Sequence, residues 1–152
     1  MNIRSQLYQL LNITNEKINC LESIYQLTEK QSRSISSKQV DEFLLLCNEK
    51  QKLIEKVNQL DEHFHAIYTN IKSSITGDSS KAQQYSEEIQ RLQFDIIQVQ
   101  EMTDKIMQAE ANNKTEYKRI FEQMKNAVKH SAPNRKNQIA QYKRMDQWKK
   151  NK

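Results

Sequence analysis

One glycine, Gly77, and one proline, Pro133, serve the whole 152-residue chain. A sheet protein needs many tight turns, and tight turns draw on Gly, Pro or Asn in special backbone states. Loops that cradle phosphates need several glycines for close backbone approach. The scarcity of both residues argues against strands and against most loop-borne chemistry, and predicts an all-α fold. Only 36% of residues are hydrophobic, below the usual level for a soluble domain, while 18 Gln and 13 Asn are present. Such a composition fills a narrow seam between helices rather than a thick core.

The apolar spacing divides the chain into three helical segments. From about Ile3 to Gln31, Leu7, Leu11, Ile18, Leu21 and Tyr25 recur at steps of three and four, interrupted at Thr14. A break is expected at residues 32–36. Ser36 and Gln39 have capping-box spacing there, and Ile35 and Val40 that of a hydrophobic staple. A second helix is expected from about Ser37 to Ile71, its stripe (Val40, Phe43, Leu44, Cys47, Ile54, Val57 and on) broken at Lys50 and Gln51. The short connection makes the first two helices an antiparallel hairpin. A second break falls at residues 73–80, followed by another capping-box pair, Ser80 and Gln83. The third segment, from Tyr85 to about Val128, is close to a coiled-coil heptad, with polar interruptions at Thr103, Glu110 and Asn113. A kink near Asn112 and Asn113 is one expectation. The fold is thus a long-helix hairpin plus a long third helix, a three-helix coiled-coil bundle over residues 1–130, with a basic tail or short helix at 131–152.

This layout has a geometric consequence. If the third helix runs back along the second from a turn at residues 73–80, facing residue numbers sum to about 153 (counted from the middle of that turn). Tyr117 then meets the level of Ser36, and Tyr117, Ile120, Phe121, Met124 and Val128 project beyond the hairpin. An apolar stripe with no partner in its own chain marks an interaction site. On that reading, Glu at positions 120 and 124 abolishes partner binding and leaves the fold intact.

Charge is concentrated in the tail. Residues 129–152 hold eight basic residues and one acid, Asp146, against 16 basic and 18 acidic in residues 1–128. Ile139, Tyr142, Met145 and Trp148 are spaced by three within it, the pattern of a basic amphipathic helix. A nucleic acid, an anionic membrane surface or a protein partner could each receive such a segment. The slightly acidic body disfavours nucleic acid, and a segment that orders on a protein partner is the preferred reading.

Catalytic chemistry finds little footing. His63 and His65 are two apart, so on a helix they point in nearly opposite directions, unlike a three- or four-spaced zinc pair. Cys20 and Cys47 read as small hydrophobes with free thiols rather than a disulfide. The carboxylates, Glu87, Glu88 and Asp104 among them, decorate helix faces beside Lys and Gln. No catalytic residue, metal site or cofactor is predicted. No stretch approaches the roughly 20 apolar residues of a membrane span and no signal-peptide core is seen at the N-terminus, so a cytoplasmic location is the default.

The run from Glu49 to Glu62 (EKQKLIEKVNQLDE) resembles the second helix of bacterial flagellar export chaperones of the FlgN and FliT type. The upstream Leu-, Ile- and Gln-rich helix, the start pattern Val40-Asp41-Glu42-Phe43, the long third helix with Asn112 and Asn113, and the Tyr-containing basic tail share that layout. The resemblance implies a cytosolic helical chaperone. It would bind the C-terminal helical region of a late flagellar subunit, a hook–filament junction protein or the filament cap, and deliver it to the export gate. It further implies that cargo binds on the long C-terminal helix, here Tyr117, Ile120, Phe121, Met124 and Val128. A tail Tyr would contact the gate protein, here Tyr142, with Arg144 and Trp148 in the same segment. A monomer or a homodimer would serve. The competing readings are a self-associating coiled-coil adaptor, which sedimentation would reveal as a stable dimer through residues 85–128, and a nucleic-acid binder whose salt-sensitive affinity resides in the tail.

Overall fold

The computed structural model describes residues 2–77, 79–128, 140 and 143–145. It is helical throughout: α1 is Ile3–Ser36, α2 Val40–Thr76, α3 Ser79–Gln84 and α4 Ser86–Val128. Residues 140 and 143–145 are also helical, and no strand occurs among the described residues. Residues 129–139, where a boundary between bundle and tail was expected, lie outside them.

Local chemistry sets the helix ends. At the start of α1, Asn2 Oδ1 accepts the Ser5 N–H at 2.8 Å, an N-cap. The expected break at residues 32–36 does not occur, because α1 continues to Ser36. Ser34 Oγ donates back to the Lys30 carbonyl and Ser37 Oγ to the Arg33 carbonyl, so these serines bond the last turn instead of capping the next helix. The helix then closes in a Schellman motif: Gln39 N–H reaches Ser34 O at 2.9 Å and Lys38 N–H reaches Ile35 O at 3.1 Å. Lys38 takes φ 59°, a left-handed conformation that glycine adopts without strain. Lys38→Gly should therefore stabilise the protein by about 0.5–1 kcal/mol, after allowing for glycine's greater freedom in the unfolded chain. That corresponds to a Tm rise of roughly 1–4 °C by circular dichroism. A lowered Tm would show that the lysine side chain contributes more than its backbone costs.

Helix α2 begins at Val40, with Asp41 and Glu42 in its first turn, where carboxylates complement the positive end of the helix dipole. It runs through Thr76, five residues past the expected end. Gly77 donates to Ser73 O at 2.9 Å, and a Cβ there would stand only 2.8 Å from that oxygen, so glycine is required at this stop. The short α3 then fills the connection, and Tyr85 separates it from α4. Helix α4 is continuous over 43 residues, Asn112 and Asn113 included.

The described chain divides into two compact units, residues 1–26 with 51–106 and residues 27–50 with 107–152. In the first unit, Leu7, Leu10 and Leu11 of α1 meet Ile67 and Ile71 of α2 and Leu92 of α4. Phe64 and Tyr68 stack at its edge, 6.0 Å between ring centroids. Lys17 pairs with Asp61 at 2.6 Å, Arg4 with Glu88 at 3.4 Å, and Lys105 lies 4.8 Å from the Tyr25 ring. Arg4 with Glu88 and Tyr25 with Lys105 show α1 parallel to α4, and Lys17 with Asp61 beside the shared cluster of Leu7 and Ile71 shows α1 antiparallel to α2. Thr14, the polar interruption of the α1 stripe, turns its hydroxyl to the Leu10 carbonyl at 2.8 Å and stays buried. His63 and His65 are both exposed, and no group of three potential metal ligands occurs among the described residues.

Candidate partner-binding site

The second unit holds two adjoining features, a buried polar layer and an apolar cluster. In the layer, Lys50 of α2 is buried, and its ammonium donates to Gln31 Oε1 of α1 at 2.7 Å and to Glu110 Oε1 of α4. Gln31 Nε2 donates to Cys47 Sγ at 3.0 Å. Thr28 Oγ1 approaches Glu110 at 3.5 Å, and Asn113 Nδ2 donates to the Thr28 carbonyl at 2.9 Å. Each helix stripe is interrupted by polar residues here, and the interruptions meet one another. A polar group placed against an apolar layer would lose these bonds, so the layer disfavours slipped registers.

The layer also fixes the alignment of α4 on α2. Lys50 and Glu110 have numbers summing to 160, not 153. The difference is one heptad. It arises because α2 runs on to Thr76 and α3 occupies the connection, which moves the turning point along the chain. Tyr117 therefore stands level with Phe43 rather than with Ser36.

This corrects the expected overhang. Tyr117 and Ile120 are each 2% exposed and Met124 8%, packed with Ile35 of α1 and with Val40, Phe43 and Cys47 of α2. Phe121 and Val128 are half-buried, and Phe121 and Leu44 lie against the edge of this cluster. The final member is Met145, 1% exposed, between an exposed Arg144 and residues outside the description. Tyr142 and Trp148, the other expected tail contacts, also lie outside the described residues. Cys20 and Cys47 are both buried free thiols.

Charge around α4 is mixed. Arg119 grips Glu116 through two hydrogen bonds, Nε to Oε2 at 3.1 Å and Nη2 to Oε1 at 2.5 Å. Those bonds hold the Glu116 carboxyl below its ordinary pKa and raise Arg119 above its own. Both groups are solvent-exposed, so the pair orders the surface beside Tyr117 and Ile120 without adding much stability.

The arrangement gathers apolar side chains from α1, α2 and α4 into one enclosed cluster, with Leu44 and Phe121 half-buried against it. Among the described residues no cleft brings a nucleophile, a base and oxyanion donors together. The profile of the family described as FlgN protein matches residues 1–144. The chain belongs to the FlgN family. FlgN proteins are chaperones of flagellar type III export, and that general role is this chain's. Searches of curated proteins and of solved structures gave no match. The FlgN match spans both units and reaches one residue short of Met145, so the apolar cluster lies almost wholly within the family's extent. Among the described residues no helix is long and apolar enough to cross a membrane.

Five members of the cluster, Ile35, Val40, Phe43, Cys47 and Met145, carried no functional reading in the sequence. Ile35 was read as half of a staple in the expected break and Phe43 as a stripe residue of the second helix, and the Lys38 turn brings both into one cluster with Tyr117. Met145 stood in the three-spaced tail stripe, but nothing in the spacing names its seat.

Proposed function

We propose that this FlgN-family chain chaperones a late flagellar subunit, a hook–filament junction protein or the filament cap. It holds the subunit's C-terminal helical region at the second unit's apolar cluster, keeps it from assembling in the cytoplasm, and hands it to the export gate. Tyr117, Ile120 and Met124 form the floor of the cargo site, and Phe121 and Val128 its accessible edge. Tyr142, Arg144 and Trp148 form the tail segment that meets the gate protein.

The observation that carries this reading is the burial of Met145, a side chain remote in sequence, among Ile35, Val40, Phe43, Tyr117, Ile120 and Met124. The cluster accepts an apolar knob from a segment outside the three long helices. Helix-in-groove recognition works through such knobs at steps of three and four, and Met and aromatic side chains suit an adaptable site.

The edge residues offer a clean test. Val128 is half-buried at the last position of α4, so Val128→Glu should leave Tm within about 2 °C, as edge substitutions usually do. The same change should weaken binding of a synthetic C-terminal helix of the host's hook–filament junction protein, or of its filament cap, by roughly ten-fold or more, because it places a charge against an apolar helix face. Phe94→Glu is the control, on a first-unit side chain that is 59% exposed. Equal effects from the two substitutions would remove the cluster as the cargo site.

Exposed Phe94 and Ile97, one turn apart on α4, favour the self-association reading over nucleic acid as the alternative. A concentration-independent dimer in sedimentation equilibrium that Phe94→Glu dissolves would support it.

A further inference from the structure

We propose that Met145 is a competitor built into the chain for its own cargo site: it fills the place a cargo side chain takes, and cargo binding ejects it. The inference rests on the proposed cargo site and adds its regulation and the shape of its ligand.

Three observations carry it. Met145 is 1% exposed, as enclosed as Ile35 and Phe43 beside it, although Lys143 and Arg144 on its N-terminal side are exposed. One side chain is therefore inserted while its charged neighbours remain in water, as when a helix presents a single apolar knob to a receptor. The receiving residues come from α1, α2 and α4 together, so the seat exists only where those three helices are in register. Finally, the half-buried Phe121 and Leu44 border the cluster, giving an incoming helix apolar surface beside the central knob.

The occupant also defines what can replace it. Methionine is unbranched and flexible, and it enters beside basic neighbours. A cargo helix with Met or Leu at the central position, and apolar residues three or four positions away, can make the same contact and extend it onto Phe121 and Val128. Covalent attachment gives Met145 an effective concentration on the order of mM at its own seat. A weakly binding apolar segment is then excluded, while a cargo helix with several anchors displaces a single side chain. The device sets an affinity threshold for the chaperone.

Two measurements on the full chain test this. The probe is a synthetic peptide of the C-terminal helical segment of the host's hook–filament junction protein, with the corresponding filament-cap peptide as a second arm. In titrations, Met145→Glu should bind the peptide about ten-fold more tightly than wild type, since a burial contribution of Met size no longer opposes entry. In wild-type protein labelled at methionine methyls, the Met145 signal, assigned through Met145→Leu, should show contacts with Tyr117 and Ile120 that disappear as peptide is added. This second readout does not depend on how stable the Glu variant is. Unchanged affinity in Met145→Glu, with the wild-type Met145 contacts still lost on peptide binding, would overturn the competition and leave the cargo site standing, whereas Met145 contacts unmoved under bound peptide would overturn the cargo site as well. Absence of binding by either peptide to either protein would overturn both.

Discussion

Ile120→Glu should unfold the second unit rather than merely block it. Ile120 is 2% exposed and is packed with Ile35, Val40, Phe43 and Tyr117. A carboxylate there must either ionise among apolar side chains or bind a proton and remain short of hydrogen bonds. Adding the lost isoleucine packing, the cost is about 4 kcal/mol or more, in the tail of single-substitution effects. Domains of this size have a total stability on the order of 5–15 kcal/mol. Amide hydrogen exchange should show residues 27–50 and 107–128 losing protection by orders of magnitude, while Leu7, Leu10 and Ile71 in the first unit stay protected. A melting temperature within about 2 °C of wild type, with protection intact in both units, would contradict the enclosed packing. The sequence pattern invited the opposite expectation, that Glu at 120 and 124 would silence binding and spare the fold. Burial reverses it, so lost cargo binding in that variant would report an opened helix end, and the site is better interrogated at Phe121 and Val128.

The elements that were legible in the sequence are those governed by period. Three long helices follow from the three-four recurrence of Leu, Ile, Val and Tyr, because that spacing has one geometric solution with so few glycines. Their ends were less legible. Ser36 with Gln39 has the spacing of a helix start, yet the serine hydroxyls around it donate to carbonyls one turn back, and the helix continues. Serine supports both outcomes, and what decides is Ile35, which the helix buries to 1% by continuing. Register was the least legible property. The six residues of α3 and the extension of α2 to Thr76 shift α4 by a heptad, so the stripe from Tyr117 to Met124 gained the partners that counting from the turn denied it. The sequence pattern thus put Tyr117, Ile120 and Met124 on one stripe, while the partners that enclose them were not readable from it. Thr28, Gln31, Lys50, Glu110 and Asn113 illustrate the same limit. Lys50, Glu110 and Asn113 each looked like a flaw in one stripe, and only the alignment of three helices shows all five as parts of one hydrogen-bonded layer.

That layer supports a second large effect with an asymmetry that packing alone would not give. The Lys50 side chain is 4% exposed and that of Glu110 36%. Glu110→Ala takes the carboxylate from a buried ammonium, which keeps Gln31 Oε1 at 2.7 Å. Breaking a buried pair from this side costs about 3 kcal/mol, the low end of the usual range because Gln31 remains. Lys50→Met acts differently. It replaces the ammonium by an apolar chain of similar length, and Glu110 turns toward water through its exposed side. Exchanging the ion pair for a hydrophobic group is close to neutral, but the buried Gln31 Oε1 loses its donor, so the net cost is about 1–2 kcal/mol. Urea unfolding should therefore rank Lys50→Met below wild type and Glu110→Ala lower still, with Glu110→Ala in a Lys50→Met background no less stable than Lys50→Met alone. That lack of further loss distinguishes an electrostatic cause from lost packing of the Glu110 methylenes, which Lys50→Met would not repair. If Lys50→Met proves the more damaging of the two single changes, the ammonium is holding the α1–α2 contact through Gln31, and the charge on Glu110 is incidental to the register.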